Sequence, residues 1–141
     1  MLKGRTIAAA AVLAVAAPSA ALAAGTSHAK LWQNSGKTVT CGVKIHAPGQ
    51  KATDVICGAK GLPAPKHGVG DPFVQISAQG KPQVIRLSQD SFVGKKAATL
   101  SSGMKWSSLG VTCTVTTAKL VTCKNKSGHG FTIGNGKYKT S

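Results

Sequence analysis

Four cysteines and one histidine flanked by glycines are the residues of this chain whose chemistry could matter most. Cys41, Cys57, Cys113 and Cys123 offer two disulfides, a set of thiolate ligands or a nucleophile. His129, in the run Gly128-His129-Gly130-Phe131, offers an imidazole that could act as a general base or a metal ligand near neutral pH. Cysteine-built zinc sites draw on closely spaced pairs such as C-x2-C, and the intervals between these cysteines are far wider. His28, His46 and His67 share no spacing that would complete a metal site. No metal or other cofactor is therefore expected.

Catalysis by other routes has little to build on. The acidic residues are Asp54, Asp71 and Asp90, with no glutamate, so a pair of catalytic carboxylates would have to come from these three. The serines lack a Gly-x-Ser-x-Gly elbow. Gly136-Lys137 is followed by Tyr138 where a phosphate loop needs Ser or Thr. A non-catalytic chain is the expectation, with a small hydrolase using His129 as the alternative. For Gly128-His129-Gly130-Phe131 the structural reading is a tight bend at the two glycines, an imidazole bonded to a nearby carbonyl, and Phe131 turned into the core.

What positions the cysteines follows from the residues around them. With Cys41 opposite Cys57 in an antiparallel pair, Val43 faces Val55, Ile45 faces Thr53 and Val39 faces Ala59, all on one side of the ribbon. The same register sets Lys44 opposite Asp54 on the other side and Pro48-Gly49 at the tip. With Cys113 opposite Cys123, Val115 meets Val121 inside, while Thr114 meets Thr122 and Thr112 meets Lys124 outside, with Thr117-Ala118-Lys119 as the loop. Two within-hairpin disulfides are therefore expected, each worth on the order of 3 kcal/mol on the chain-entropy model.

The remaining segments are also β-like. Phe73-Val74-Gln75-Ile76-Ser77 and Gln83-Val84-Ile85-Arg86-Leu87 flank a turn at residues 78–82, and Gly134-Asn135-Gly136 carries the Asn-Gly signature of a type I′ hairpin turn. Turns are also expected at Gly94-Lys95-Lys96 and Ser101-Ser102-Gly103, and a single helical turn near residues 88–92. No segment after the first two dozen residues sustains a helical apolar period. Seven to nine short strands point to an all-β fold, a small antiparallel sandwich or barrel stapled by its disulfides.

The first 23 residues read as a signal peptide. Lys3 and Arg5 precede an apolar run over 7–17, Pro18 breaks it, and Ala21-Leu22-Ala23 gives a small-x-small cleavage pattern. The apolar run falls well short of the roughly 20 residues a spanning helix needs. Residues 24–30 are expected as a disordered lead-in and 31–141 as one domain, secreted and monomeric, with no transmembrane span in the mature chain. Four cysteines suit that oxidising destination.

The runs Asn34-Ser35-Gly36-Lys37-Thr38-Val39-Thr40-Cys41 and Leu109-Gly110-Val111-Thr112-Cys113, and above all Cys123-Lys124-Asn125-Lys126-Ser127-Gly128-His129-Gly130-Phe131, carry a resemblance. The chain resembles a family of small secreted actinobacterial proteins of unknown function with a Cys-x-Asn-x-x-Gly-His-Gly-Phe ending. The resemblance spans roughly residues 31–139 and implies secretion and a shared fold. It supplies no activity.

Partners are suggested by charge. Eighteen Lys and Arg stand against three Asp, a net +15, and loss of Lys3 and Arg5 with the leader lowers it to +13. Such a surplus attracts polyanions over about a Debye length. Lys124, Lys126, Lys137 and Lys139, beside Tyr138, form a candidate cationic strip for an anionic cell-wall polymer or polysaccharide at the cell surface. Nucleic acid is disfavoured because basic and aromatic residues do not interleave as in known readers. A second candidate is the proline-bearing loop over 58–72, a rigid protrusion for a protein partner, as in an exported inhibitor of a hydrolase. Trp32 and Trp106 discriminate further: exposed together beside the lysines they would stack on sugars, and buried they fill the core.

Overall fold

The computed structural model describes residues 25–27, 29–44, 49–88 and 96–141. The expected signal peptide, the Pro48 tip, His28, His46, the pairing of Ile45 with Thr53, Asp90, the helical turn near 88–92 and the turn at Gly94-Lys95 lie wholly or largely outside the described residues.

Twelve strands lie among the described residues, more than the seven to nine expected. They are β1 (Thr26–Ser27), β2 (Leu31–Asn34), β3 (Val39–Val43), β4 (Asp54–Ala59), β5 (Asp71–Ser77), β6 (Gln83–Leu87), β7 (Ala98–Leu100), β8 (Lys105–Ser108), β9 (Val111–Val115), β10 (Leu120–Asn125), β11 (Gly130–Gly134) and β12 (Lys137–Thr140). The surplus arises mainly from β1, β7 and β8, which are too short to show an alternating pattern. They form a C-terminal sheet in the order β1-β8-β9-β10-β11-β12 and an N-terminal sheet in the order β6-β5-β4-β3-β2-β7.

Pairing is antiparallel except at two edges, where β1 runs parallel to β8 and β7 parallel to β2. Strand β1 falls within the segment expected as a disordered lead-in. Thr26 and Ser27 pair with Lys105 and Trp106, and the Ala29 carbonyl accepts the Trp106 indole N–H at 2.6 Å.

Both cysteine hairpins have the expected register. Cys41 pairs with Cys57, Val43 with Val55 and Val39 with Ala59; Cys113 pairs with Cys123, Val115 with Val121, Thr114 with Thr122 and Thr112 with Lys124. Both disulfides are formed, Cys41–Cys57 and Cys113–Cys123. Period-two alternation aims all four sulfurs inward, where the cysteines are fully buried. At the Asn-Gly turn between β11 and β12, Asn135 and Gly136 both have positive φ, 52° and 69°, as a type I′ turn demands.

The core lies between the sheets. Trp32, Val39, Val55, Val74 and Ile76 from one meet Trp106, Val111, Val115, Val121, Phe131 and Ile133 from the other. The two tryptophans form a tilted pair with ring centroids 5.8 Å apart, and neither is more than 1% exposed. They are core filler, and a sugar-stacking platform built on them is ruled out. Among the described residues the Trp32 indole N–H is buried without a hydrogen-bond partner, at a cost of about 1–3 kcal/mol that the surrounding packing must offset.

Candidate cation and hydroxyl face

The outer side of the C-terminal sheet is built by the residues that alternate with its core positions. Lys105 pairs with Thr114, Thr114 with Thr122, Thr122 with Thr132 and Thr132 with Lys139, so these five side chains form one row across β8 to β12. At about 4.8 Å per strand, the row runs roughly 19 Å from one lysine to the other. A second row runs Ser107, Thr112, Lys124, Gly130, and Lys137 stands opposite Gly134 one step to the other side. Hydroxyls along these rows bond one another, Thr122 to Thr132 at 3.0 Å and Ser107 to Thr112 at 2.9 Å. None of the six strands of this sheet contains an acidic residue.

The expected strip is thus brought together in part. Lys124, Lys137 and Lys139 are exposed on this one face, joined by Lys105, which lies far away in the chain. Lys126 sits in the turn after β10, exposed at the end of the sheet. Tyr138 alternates to the other side of β12, opposite the buried Ile133, and is 36% exposed. It does not stand beside the lysines on their face.

The run Gly128-His129-Gly130-Phe131 is a turn locked from its backbone. Gly128 has φ 84°, and Gly130 has no room for a side chain because a Cβ there would stand 2.4 Å from the Cys123 carbonyl oxygen. Its second glycine thus serves close approach and not positive φ. Phe131 is fully buried. The imidazole of His129 makes no hydrogen bond to a carbonyl among the described residues. Its backbone makes the contacts instead: the His129 N–H donates to Asn125 Oδ1 at 3.0 Å, and the Asn125 N–H donates to the His129 carbonyl at 2.9 Å.

Asn125 and Asn34 were not singled out by sequence reasoning as structural centres, and each ties the two sheets together at one end of the sandwich. Asn125 donates from Nδ2 to the Ser77 and Gly80 carbonyls at 2.9 and 2.7 Å, while its Oδ1 also accepts the Ser127 N–H at 3.1 Å. Asn34 donates to the Ala118 carbonyl at 2.8 Å and to Thr38 Oγ1, and its Oδ1 accepts the N–H groups of Thr38 and Val39. Both asparagines are buried. The signal was present in the Asn-Ser-Gly and Asn-x-Ser-Gly runs, which read as turns; a turn motif does not disclose which distant carbonyl its amide reaches.

The proline-bearing loop is shorter than its expected 58–72, because Gly58 and Ala59 end β4 and Asp71 and Pro72 open β5. Leu62 anchors it in the core. Arg86 pins it from below, donating from Nε to the Gly70 carbonyl at 2.9 Å and from Nη1 to the Pro65 carbonyl at 3.1 Å. Between Gly68 and Gly70, both at positive φ, Val69 is held out at 90% exposure.

The sulfurs of Cys41, Cys57 and Cys123 lie within 4.8 Å of one another. Wide sequence spacing therefore does not keep them apart, but as disulfide sulfurs they present no thiolate to a metal. Among the described residues, no helix is long and apolar enough to cross a membrane. No protein-family model matches the chain, and neither a curated protein nor a solved structure is detectably similar to it.

Proposed function

We propose that this chain is an exported, non-catalytic β-sandwich that holds an anionic cell-envelope polymer or polysaccharide against the outer face of its C-terminal sheet. The observation that carries the reading is the hydroxyl row Thr114, Thr122, Thr132 between Lys105 and Lys139, on a sheet with no acidic residue. Ammonium groups supply long-range attraction to phosphate or carboxylate, and the hydroxyls supply short-range donors and acceptors for a polymer lying along the row.

Edge protection is the plainer account of lysines on a sheet, and it suits Lys137 and Lys139 on the terminal strand β12. It does not explain Lys124, which sits on the interior strand β10, or Lys105, whose strand β8 is covered by β1. The resemblance to secreted proteins, the signal-peptide pattern and the two disulfides support a site of action outside the cytoplasm.

Sedimentation with isolated cell walls across a salt series tests the reading. Binding at low salt that falls steeply as salt rises is expected; no co-sedimentation at the lowest salt contradicts it. One observation favours a second reading, an exported inhibitor or other protein-binding module: the presentation of Val69 on a pinned loop. Binding through that loop would be insensitive to salt and lost in Val69→Glu.

A further inference from the structure

A cleft of about 610 Å³ opens on the outer side of the other sheet, the N-terminal one. It falls within the roughly 300 to 1,000 Å³ of ordinary small-molecule sites. Gly58 and Phe73 are among the residues that line it. Thr40 pairs with Gly58 across β3 and β4, and where Gly58 lacks a side chain the Phe73 ring leans in, so that a Cβ on Gly58 would stand 2.6 Å from the ring. Ring and glycine backbone form the floor. Around it stand Lys37, Thr40, Lys60 and Asp71. The side chains of all four make no hydrogen bond or ion pair among the described residues.

The rim is built in advance. Lys37 follows a turn clamped by the buried Asn34 and holds a left-handed backbone, φ 53°. Lys60 precedes Gly61, φ 78°, which packs on Gly136 of the β11–β12 turn. Asp71 directly follows Gly70, whose carbonyl is pinned by Arg86. At this end of β5, Pro72 lies beyond the last residue paired with β4, where a missing N–H breaks no ladder between those strands. Rigid rims lower the ordering cost of binding.

We propose that this cleft binds one sugar unit carrying a single anionic group, a uronate or a sugar phosphate. Two ammonium groups select for an anion and repel a cation. A lone carboxylate opposes simple inorganic anions but accepts hydrogen bonds from sugar hydroxyls, and Thr40 adds a donor and an acceptor. The apolar floor suits the carbon-bound face of a ring. This site lies on the opposite face of the sandwich from the lysine–threonine rows and does not rest on them.

The test is amide-resolved NMR titration of the oxidised protein with glucuronate, glucose 6-phosphate, glucose and inorganic phosphate. Saturable shifts centred on Lys37, Thr40, Gly58, Lys60 and Asp71 are expected with one or both acidic sugars, and which of the two binds tells a carboxylate from a phosphate source. Glucose and inorganic phosphate are each expected to bind at least about tenfold more weakly. Lys37→Gln with Lys60→Gln removes the preference for the acidic sugar over glucose, and Asp71→Asn weakens acidic sugar while leaving phosphate unweakened. These exposed substitutions leave the core untouched. Replacing Lys105, Lys124 and Lys139 by glutamine leaves the cleft shifts in place, which separates this site from the polymer face. Absence of saturable shifts with both acidic sugars, or binding of inorganic phosphate equal to that of the sugars, overturns the proposal.

Discussion

Cys57 Sγ lies 3.8 Å from Cys123 Sγ, so the two disulfides touch across the middle of the sandwich. Each closes its own hairpin, yet together they form a sulfur bridgehead between the sheets, flanked by the Trp32–Trp106 pair and by Phe131. Bridges that are local in sequence thereby contribute to the packing of one sheet on the other.

Their removal should not be additive. Replacing Cys113 and Cys123 by alanine, or Cys41 and Cys57, is expected to cost about 3 kcal/mol each in urea unfolding. Removing both pairs should depart from the sum by about 0.5 to 3 kcal/mol, because contacting groups share their packing. A sum matched to within about 0.3 kcal/mol would show that the bridges act independently.

Asn125 holds the β10–β11 turn to the β5–β6 turn. Asn125→Ala leaves the Ser77 and Gly80 carbonyls and two backbone N–H groups without their partner, and a loss of about 2 to 4 kcal/mol is expected in urea unfolding. Asn125→Asp should be at least as harmful, since it turns a carboxylate oxygen toward two carbonyls. Stability within about 0.5 kcal/mol of wild type in either variant would contradict the role assigned here.

The histidine turn separates two glycine roles. At Gly128 nothing lies within 4 Å of a built Cβ, so Gly128→Ala pays only for positive φ, about 1 kcal/mol. Gly130→Ala drives a methyl group into the Cys123 carbonyl and should cost more than twice as much, or prevent folding. His129→Ala should change stability by less than about 0.5 kcal/mol, because the turn is held by backbone groups. Thermal unfolding of the three variants gives the order; equal losses at Gly128 and Gly130 would contradict it.

The hairpins were legible in the sequence because a covalent pair of cysteines and a period of two together leave one register, and every neighbour of Cys41, Cys57, Cys113 and Cys123 could be checked against it. The Asn135-Gly136 turn was legible for a similar reason, since few residues tolerate two successive positive φ values. β1, β7 and β8 were not. They are two to four residues long, and their place depends on partners far along the chain, Trp32 with Ala98 and Ser27 with Trp106. Of the candidate strip, Lys124, Lys137 and Lys139 could be placed by alternation. Lys105 could not, because its neighbours on the face come from pairing and not from sequence, and Tyr138 was set beside lysines from which strand alternation separates it.

The most direct test of polymer binding at the C-terminal sheet compares two variants of equal charge. One carries glutamine at Lys105, Lys124, Lys137 and Lys139; the other carries it at Lys30, Lys51, Lys66 and Lys81, all exposed and off that face. Binding to an anionic wall polymer is measured for each over a salt series. The first variant is expected to lose most of its low-salt affinity, with a shallower salt dependence, while the second stays within about threefold of wild type. Equal losses in the two variants would show that net charge governs the interaction, and would contradict binding at this face.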